Sequence, residues 1–591
     1  MENSKWIVKT KPGQGEIERL MEDAGLTQLV ASLLLQRGLS QVKDVVDFLN
    51  PGFTALHHPL LMKDMRKAVN RLHEAIEDEE RILIYGDYDV DGTTAVAMMA
   101  SYLEGVGAQI KTYIPHRYDE GYGVSAEGVQ WATDNGYSLM ITLDCGTKDF
   151  SSIQQAKDQG IDVIICDHHL PESTLPEAYA ILNPKRSDCD YPFKELSGCG
   201  VAFKLLQGLA HTMDLPEGGV LEELDLVAIS IGADLVELTD ENRIMASQGL
   251  KQLKKRQRPG IFALMRAAGI QQAPQSVRDI SFTLGPRINA AGRMDHAQRV
   301  VDLLMEKSEH RATEVAREIE EMNLKRREVD EATTEQAFAQ LEKSNPEAFC
   351  TVVSGKNWHR GVVGIVASRL IEKRFRPSIV LSEEDGILIG SARSVDGVDI
   401  HSALEECASL LSQFGGHTMA AGLSLPTKNL EAFKELLEAA VKKQLGQVPP
   451  RRKVHCDQEV QLRDLTLEAF RELQQLEPFG PGNPTPVFIL KNVQCLRPPR
   501  TIGVQGKHLK ITIGHPENEQ QSIDAIGWNM GAIASDIKKW NRLDLAFTLV
   551  KNTWKPRGWE NRTELNLHLR SVRETGTWEG EYDSINENPP V

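Results

Sequence analysis

The stretch RILIYGDYDVDGTTA, residues 81–95, decides the predicted fold of the first large domain. An apolar run ends in a loop that carries Asp87, Asp89 and Asp91, and the small and apolar residues after it are typical of a helix. The pattern recurs, because SLMITLDCG at 138–146 leads through a helical segment to IDVIICDHH at 161–169. Repeated strand–loop–helix units predict a doubly wound α/β domain built on a parallel sheet.

Acidic and imidazole side chains follow the ends of these apolar runs. Asp144 ends the second run, and Asp234 follows the apolar stretch LVAISIGA. The third run ends in Asp167, His168 and His169. In an open parallel sheet, catalytic groups gather just beyond the carboxyl ends of the strands. Hard divalent cations prefer clustered carboxylates, and added imidazole suits a metal such as Mn(II), so the four segments predict a two-metal hydrolase site.

Other interpretations of these segments were weighed. A DxDxDG string also opens the calcium loop of an EF-hand, which needs a Glu at its twelfth position. Counted from Asp87, that position is Met98 inside an apolar helix, so the calcium loop is excluded. A structural acidic turn stays open for the first loop, although three such close carboxylates would repel one another without a cation. A helix N-cap stays open for Asp144.

Composition and charge limit the classes of partner. The formal net charge of −17 over 591 residues argues against a broadly basic nucleic-acid surface, so any nucleic-acid path should be a local basic groove. No apolar run approaches the ~20 residues that span a bilayer, and the N-terminus MENSKWIVKT lacks the apolar core of a signal peptide. The eight cysteines form no CxxC pair. We therefore expect a cytoplasmic protein with reduced thiols and no membrane contact.

Changes in sequence pattern divide the chain into six parts. The expected fold class is α/β, with a doubly wound domain, a long connecting helix, a smaller α/β domain and a β-barrel of the OB type. Five strand-like runs within about 100 residues predict the barrel. The expected boundaries are a helical extension at 1–75, the first α/β domain at 76–305, the connecting helix at 306–346, the second α/β domain at 347–447, the barrel at 454–575 and a disordered tail at 576–591.

The motifs of the chain resemble those of the DHH phosphoesterase superfamily, which is named for the triplet at 167–169. Within it, the chain is similar to the RecJ type of single-stranded-DNA-specific 5′→3′ exonuclease, from about residue 25 to 570. The motifs that carry the resemblance are, in order, GDYDVDGTTA, IPHRYDEGYGV, TLDCG, CDHH, GPRINAAGRM, WHRGVVGIVASRL, GSARS and FGGHTMAAG. The resemblance implies a DHH catalytic domain at 76–305, a DHH-associated substrate-binding domain at 347–447 and two divalent cations, Mn(II) or Mg(II).

The resemblance also implies roles for individual residues. The implied metal ligands are Asp87, Asp89, Asp144, His168 and Asp234. Asp91 would complete the catalytic set or lie close beside it, and His169 would contact a phosphate or support a ligand. The implied substrate contacts are Arg117 and Tyr122 near the 5′ end, Arg287, Asn289 and Arg293 near the scissile phosphate, Ser391 and Arg393 at the 5′ phosphate, and Gly415, Gly416 and His417 along the strand.

The expected function is hydrolysis of single-stranded DNA from the 5′ end to mononucleotides, in DNA repair and recombination. The barrel would bind the strand, because Trp528, Trp554 and Trp559 alternate with lysines in a pattern suited to stacking on bases. Single-stranded-DNA-binding protein and a RecQ-type helicase are expected partners by resemblance only, and the chain is expected to be a monomer.

Two other functions stay open. A DHH enzyme could instead hydrolyse short oligoribonucleotides or cyclic dinucleotides, although such relatives are usually shorter and lack the barrel. The chain could also be a non-catalytic strand-binding scaffold, against which the intact set of aspartates and histidines argues.

Overall fold

The computed structural model of the chain describes residues 4–255, 258–515, 518–554 and 562–577. The N-terminal segment of this structure packs on the C-terminal barrel. Its elements are β1 (Lys5–Val8), α1 (Gln14–Ala24), α2 (Gln28–Leu35) and α3 (Val42–Leu49). Ile17, Leu34 and Val45 from these helices share one buried core with Phe488 and Phe547 of the barrel. The predicted short helices are therefore present, and their apolar faces are covered by a domain far away in sequence.

The first α/β domain is built on a five-stranded, all-parallel sheet with the order β3-β2-β4-β5-β6. Its strands are β2 (Arg81–Gly86), β3 (Gln109–Tyr113), β4 (Leu139–Leu143), β5 (Asp162–Cys166) and β6 (Ala180–Leu182). Helices cover both faces, as parallel sheets require. The central strands are buried almost throughout, which explains why they appear in the sequence as continuous apolar runs.

The helices of this domain form most of its mass. They are α4 (Met65–Glu77), α5 (Val90–Gly105), α6 (Ala126–Asp134), α7 (Phe150–Asp158), α8 (Gly198–Thr212), α9 (Glu217–Leu221), α10 (Leu224–Asp234), α11 (Asp240–Lys255), α12 (Pro259–Ala267), α13 (Val277–Asp279), α14 (Gly285–Met294) and α15 (Gln298–Met305). A π-helical turn, Ile280–Leu284, joins α13 to α14. Helices α5, α8 and α10 are buried on nearly all sides, so they fix the loops at the end of the sheet.

A single long helix, α16 (Glu309–Lys343), connects this domain to the second one. The second domain has a mixed sheet with the order β10-β11-β9-β8-β7. Its elements are β7 (Thr351–Lys356), α17 (Arg360–Lys373), β8 (Ser378–Glu384), β9 (Ile387–Arg393), α18 (Ile400–Glu406), β10 (Gln413–His417), β11 (Ala420–Pro426) and α19 (Leu430–Leu445). Strands β10 and β11 form an antiparallel hairpin at the edge of this sheet.

The C-terminal domain is a closed barrel. Its elements are β12 (Lys453–Cys456), β13 (Gln458–Glu459), α20 (Leu467–Gln474), β14 (Phe488–Cys495), β15 (Arg500–Ile502), β16 (His508–His515), β17 (Asn518–Gly527), α21 (Ala534–Ile537), β18 (Leu543–Trp554) and β19 (Arg562–Glu574). Strands β14, β18, β19, β17 and β16 pair in that order, and β14 also pairs with β16, which closes the ring. These are the five runs from which the barrel was predicted.

Two further sequence-based expectations can be compared with the structure. All eight cysteines are free, and seven of them are buried. Within the described part of the chain, no helix is both long enough and apolar enough to cross a membrane. The tail from residue 578 onward and the indole of Trp559 lie outside the described residues, and so does the side chain of Trp554.

Candidate metal centre and substrate cleft

Four parts of the first domain bring their polar groups to one point at the carboxyl edge of its sheet. The loops after β2, β4 and β5 meet the last residue of α10 there. His168 Nε2 lies 3.2 Å from Asp144 Oδ1, 3.7 Å from Asp234 Oδ2 and 3.8 Å from Asp91 Oδ2. The imidazole of His168 is thus surrounded by carboxylates, as the order of the sequence motifs on a parallel sheet led us to expect.

The ligand atoms form three overlapping groups, in each of which they lie within 4.8 Å of one another. The groups are Asp87, Asp89 and Asp144; Asp91, His168 and Asp234; and Asp144, His168 and His169. Because the groups share members, they describe adjacent positions for cations. Asp87 Oδ1 is buried and has no hydrogen-bond partner in the part of the chain that the structure describes. A buried carboxylate oxygen without a partner is costly, so this donor set fits hard divalent cations.

The backbone around the acidic loop is shaped to hold these groups. Asp89 caps α5, and its Oδ1 accepts hydrogen bonds from the N–H groups of Asp91 and Gly92 at 2.8 and 3.2 Å. A Cβ atom at Gly92 would lie 2.4 Å from the carbonyl oxygen of Asp87, so only glycine allows this close turn. The φ angle of Asp144 is +61°, in the left-handed region that few non-glycine residues adopt.

Burial and mutual repulsion raise the pKa of three carboxyl groups of the centre, those of Asp87, Asp144 and Asp234. Burial and the charge of Asp89 raise the pKa of Asp87 well above its usual range. Burial and the charges of Asp91 and Asp89 do the same for Asp144, and they raise the pKa of Asp234 to about 8. Burial lowers the pKa of His168, which favours the neutral imidazole that a metal ligand requires. Cations would relieve the repulsion between these carboxylates.

Asp167 supports the two histidines of the triplet. Its Oδ1 lies 2.7 Å from His169 Nδ1 and accepts the N–H groups of His168 and His169. Burial opposes charge on both partners, but their hydrogen bond outweighs it, so the pKa of Asp167 falls and that of His169 rises to about 9. The sequence analysis did not include Asp167 among the site residues, although its place in the triplet and after β5 was the available signal.

Asp91 is tied to the protein more closely than the other acidic residues of the loop. Its carboxylate accepts hydrogen bonds from the N–H groups of Gly198 and Cys199 at 2.7 and 2.8 Å, and from Ser230 Oγ at 2.7 Å. The first two donors form the N-terminal turn of α8, whose dipole favours a negative charge. One oxygen of Asp91 still faces His168, so the residue joins α8 to the centre.

A polar cavity of about 380 Å³ lies between the first and second domains. It gathers five of the residues for which the sequence analysis implied a substrate contact, namely Arg117, Arg293, Ser391, Arg393 and Gly416. Arg360 also lines it and forms an ion pair with Glu384. Four guanidinium groups around one small cavity suit an anion with more than one negative charge.

Tyr122 lies beside His169 of the metal centre, and the β10–β11 hairpin lines the cavity. Tyr122 Oη is 3.1 Å from His169 Nε2, and 54% of the residue is exposed. Burial and the nearby charges of Lys148 and His169 lower the pKa of His417, at the end of β10. Gly415 and Gly416 lie in the same hairpin.

Besides Tyr122, Gly415 and His417, two more residues with an implied substrate role, Arg287 and Asn289, do not line the cavity. Arg287 forms an ion pair with Glu320 of α16, with Nε 2.6 Å from Oε2, and donates to the carbonyl of Thr283. Asn289 is half-buried on the same helix, α14, and is not among the residues around the cavity. Arg293 on that helix does line it and also donates to the carbonyl of Gly361 at 2.9 Å, which joins the two domains.

Comparisons with known proteins agree with this geometry. Family models match three parts of the chain, namely the DHH family N-terminal domain at 81–231, the DHHA1 domain at 345–443 and the RecJ OB domain at 456–570. The single-stranded-DNA-specific exonuclease RecJ of Bacillus subtilis (strain 168) is 38% identical over 555 residues, which cover 94% of this chain and 69% of the relative. This chain belongs to the RecJ family.

Other members of the RecJ family support the assignment. The protein of the same description from Dickeya dadantii (strain 3937) is 34% identical over 550 residues, covering 90% of this chain and 94% of the relative. The crystal structure of RecJ in complex with Mn2+ from Thermus thermophilus is 28% identical and has a TM-score of 0.82, over 96% of this chain and 79% of that one. The likeness confirms the predicted fold class.

One substrate-cleft residue of this RecJ family member was missed by sequence reasoning. Arg360 is the first residue of α17 and lies within the motif WHRGVVGIVASRL, which was quoted for the resemblance. The motif alone gave no sign that Arg360 reaches the cavity. His359 instead caps α17, with its Nδ1 accepting from the N–H group of Gly361 at 3.0 Å.

Proposed function

We propose that this chain degrades single-stranded DNA from its 5′ end to mononucleotides at the centre described above. Membership of the RecJ family confirms the expected class of enzyme, a metal-dependent single-stranded-DNA exonuclease. Solved structures of a family member with Mn2+ and with Mg2+ support the expected cofactors. The observation that carries the proposal is the overlap of three ligand groups through Asp144 and His168.

We assign the cation ligands to Asp87, Asp89, Asp144, His168 and Asp234, with Asp91 contributing to the same group. Cations bound there supply the Lewis acidity that activates water and neutralises charge on the leaving oxygen. The raised pKa of His169, held by Asp167, favours an imidazolium that can donate to a phosphodiester oxygen from Nε2. Tyr122 Oη contacts this same nitrogen, so it marks the place where the substrate would enter.

We propose that the cavity between the domains binds the 5′ end of the strand. A terminal phosphate monoester carries more negative charge than an internal diester, so a group of arginines distinguishes an end from the middle of a strand. Arg393 Nη1 donates to Ser391 Oγ at 2.7 Å, which places both groups on the same wall. Arg117 lies over the ring of Tyr88, 4.6 Å from its centroid, beside the acidic loop. An end held here would present the next phosphodiester to the cations.

A second groove is the proposed path of the strand on the 3′ side of the scissile phosphate. A cavity of about 750 Å³ begins at Leu235, next to Asp234, and its rim carries Lys251, Lys254 and Arg278. It shares Arg278 and other residues with a cavity of about 350 Å³ on the barrel. The groove is apolar with a cationic rim, which suits bases and phosphates of a single strand.

Exposed aromatic side chains mark both ends of this path. Phe282, on the π-helical turn, is 71% exposed beside the cavity of about 750 Å³. Trp528 is 50% exposed beside the cavity on the barrel, with His508 and His568 in edge contact at 4.8 and 5.8 Å. Stacking on such rings is insensitive to sequence. We propose that they give the barrel its role as a nucleic-acid-binding domain, while Phe547 is fully buried in the barrel core.

The remaining expectations stay proposals. We propose that the domain at residues 76–305 catalyses the hydrolysis, that the domain at 347–447 holds the 5′ end and that the barrel at 454–575 holds the strand. Residues 1–75 would support the barrel, and residues 306–346 would connect the first two domains. Single-stranded-DNA-binding protein and a RecQ-type helicase are proposed partners of a monomer that acts in repair and recombination. Eight free cysteines support a reducing compartment such as the cytoplasm.

The proposed function is tested with single-stranded oligonucleotides labelled at either end. We expect mononucleotides from the 5′ end with Mn(II) or Mg(II), and no product with EDTA or with Asp144→Ala. Blunt duplex of the same sequence should be a poor substrate, because we propose that the cleft between the domains admits only one strand. Release from the 3′ end would contradict the polarity, binding without cleavage would indicate a scaffold, and cleavage of only short RNA would indicate an oligoribonuclease.

A further inference from the structure

Asp234 differs from the other proposed ligands in how it is held. It is the last residue of α10, and the chain continues through a short segment, residues 235–239, into α11. Leu235, the first residue of this segment, and Asp240, the residue that follows it, have φ angles of +60° and +42°. A carboxylate at the C-terminus of a helix also faces the negative end of the dipole. The position of Asp234 therefore depends on what fixes the segment after it.

A proline- and glycine-rich loop of the C-terminal domain, residues 476–485, packs on this segment. The N–H group of Leu238 donates to the carbonyl of Pro481 at 2.7 Å. A Cβ atom at Gly480 would lie 2.4 Å from Leu238 Cδ1, and Leu238 is fully buried. One at Gly482 would lie 2.9 Å from Thr239 Cγ2. The loop thus approaches the segment after Asp234 as closely as its glycines allow.

The loop is itself held rigid from within. Asn483 is almost fully buried, and its Nδ2 donates to the carbonyls of Leu476 and Pro478 at 2.8 and 2.9 Å. Gly480 and Asn483 exchange backbone hydrogen bonds of 3.0 and 3.1 Å. Arg37 of the N-terminal segment donates to Asn483 Oδ1 at 2.9 Å. A loop with this many internal hydrogen bonds is rigid, so it can fix the position of the segment that it contacts.

Arg243 joins the loop to the helix that follows the segment. It lies on α11 and donates to the carbonyls of Leu476, Glu477 and Pro478 at 2.8–3.1 Å. It also donates to the carbonyl of Phe48 and lies over the ring of that residue, 3.8 Å from its centroid. The guanidinium is buried and donates to carbonyl oxygens. One side chain therefore ties the catalytic domain to the N-terminal segment and to the barrel domain.

We propose that the loop 476–485 and Arg243 form a positioning clamp for Asp234, so that the barrel domain helps to build the metal centre. The clamp acts on Asp234 through Leu238 and the segment 235–239 and touches no cation or substrate itself. This inference rests on the proposed role of Asp234 as a metal ligand. It implies that the affinity for cations depends on residues of the barrel domain that lie outside the ligand set.

The clamp is tested with Gly480→Ala and Arg243→Lys, and Gly218→Ala serves as a control because a Cβ there meets nothing within 4 Å. The first readout is hydrogen exchange of the metal-free full chain, in which the Leu238 amide should lose protection in both clamp variants. The second is Mn(II) binding by titration, where both variants should bind at least one ion about 10-fold more weakly, as loss of groups that orient ligands commonly does. Because Arg243→Lys keeps the positive charge, a loss of Mn(II) affinity in this variant would come from the changed hydrogen-bond geometry.

Asp234→Asn and the double variant Asp234→Asn/Gly480→Ala complete the experiment. We expect the double variant to bind Mn(II) no more weakly than Asp234→Asn alone, since both changes act on one ligand. If the two changes weaken Mn(II) binding additively, the clamp proposal is wrong. It is also wrong if both clamp variants bind Mn(II) with wild-type affinity while Asp234→Asn binds it weakly. Neither result contradicts the assignment of Asp234 as a ligand. Wild-type affinity in Asp234→Asn would overturn the ligand assignment on which the clamp rests. If Gly480→Ala loses its far-UV circular dichroism signal, the variant is unfolded, and the result for Arg243→Lys then tests the clamp.

Discussion

At the scale of single residues, Asp167 illustrates how one carboxylate outside the ligand set can support a metal centre. It accepts the backbone N–H groups of His168 and His169 and the ring of His169, and also the N–H group of Thr147 at 3.0 Å. The triplet therefore holds two histidines through one acceptor. Burial lowers the pKa of His168, the proposed ligand, whereas the hydrogen bond with Asp167 outweighs burial and raises the pKa of His169.

The change Asp167→Asn should lower the rate of DNA hydrolysis by about 10- to 100-fold without unfolding the protein, as loss of groups that orient metal-site histidines commonly does. The amide keeps the shape of the side chain but removes the charge that holds His169. The exposed Asp158, which accepts from Gln154 on α7, gives a matched control in Asp158→Asn. Wild-type rates for Asp167→Asn with Mn(II) would contradict this role.

The metal-free protein should lose stability as the pH rises from about 5 to 8. The pKa of Asp234 is about 8 in the folded state against 3.8 for the ordinary carboxyl, so the folded state binds more protons within this window. Deprotonation then favours the unfolded state, and Asp87 and Asp144 act with the same sign. Asp234→Asn should flatten the dependence of the melting temperature on pH. A wild-type melting temperature that rises over this range would contradict the assignment.

At the scale of elements, helix α14 explains why its three polar residues were only partly interpreted. Arg287 and Arg293 share one motif, and the resemblance placed both at the scissile phosphate. Six residues separate them, which puts them roughly 120° apart around a helix of 3.6 residues per turn. Arg293 therefore lines the cavity while Arg287 pairs with Glu320 of α16. The motif alone does not give this rotation.

The cavity beside α14 should recognise the 5′ phosphate mainly through Arg393. We expect Arg393→Ala to lower kcat/KM for a 5′-phosphorylated strand by about 10- to 100-fold, the usual cost of one charge-assisted hydrogen bond. The preference over a 5′-hydroxyl strand should shrink by the same factor. Arg299→Ala is a matched control, because that arginine pairs with Asp295 and Glu318 outside the cavity. An unchanged preference in Arg393→Ala would contradict the proposal.

Local patterns predicted the strands and helices that carry the site. Continuous apolar runs indicated β2, β4 and β5, and the groups that follow them meet because parallel strands end at one edge. The strand β1 was not predicted, since its partner β12 lies more than 400 residues away and no local pattern reports such a pairing. The contact between the loop 476–485 and the segment after Asp234 is also a product of tertiary folding.

At the scale of the whole molecule, the proposed path of a single strand crosses all three domains. The cavity proposed for the 5′ end lies between the first two domains, and the proposed groove leads from Leu235, next to Asp234, to the barrel. The formal charge of −17 is compatible with this path because arginines and lysines are gathered around these cavities. The local basic groove that composition indicates stays a prediction, and these cavities are the proposed place for it.

The barrel end of the path should matter only for longer substrates. Trp528→Ala should weaken binding of long single strands, by about 1–3 kcal/mol for one lost stacking partner, and leave cleavage of very short oligonucleotides unchanged. Phe282→Ala, nearer the centre, should affect shorter strands as well. Equal losses on short and long strands in Trp528→Ala would place the indole outside the path.

The central claim is that two cations share the carboxylates and imidazole of one centre. The most direct measurement is the number of Mn(II) ions bound per chain, by titration, for the wild type and for Asp144→Asn, beside 5′ mononucleotide release from the same samples. We expect the wild type to bind two ions, with activity that follows the second ion, and we expect Asp144→Asn to bind fewer ions or to bind them more weakly and to release no mononucleotide. Full activity with a single ion, or two ions bound equally tightly by an inactive Asp144→Asn, would contradict it.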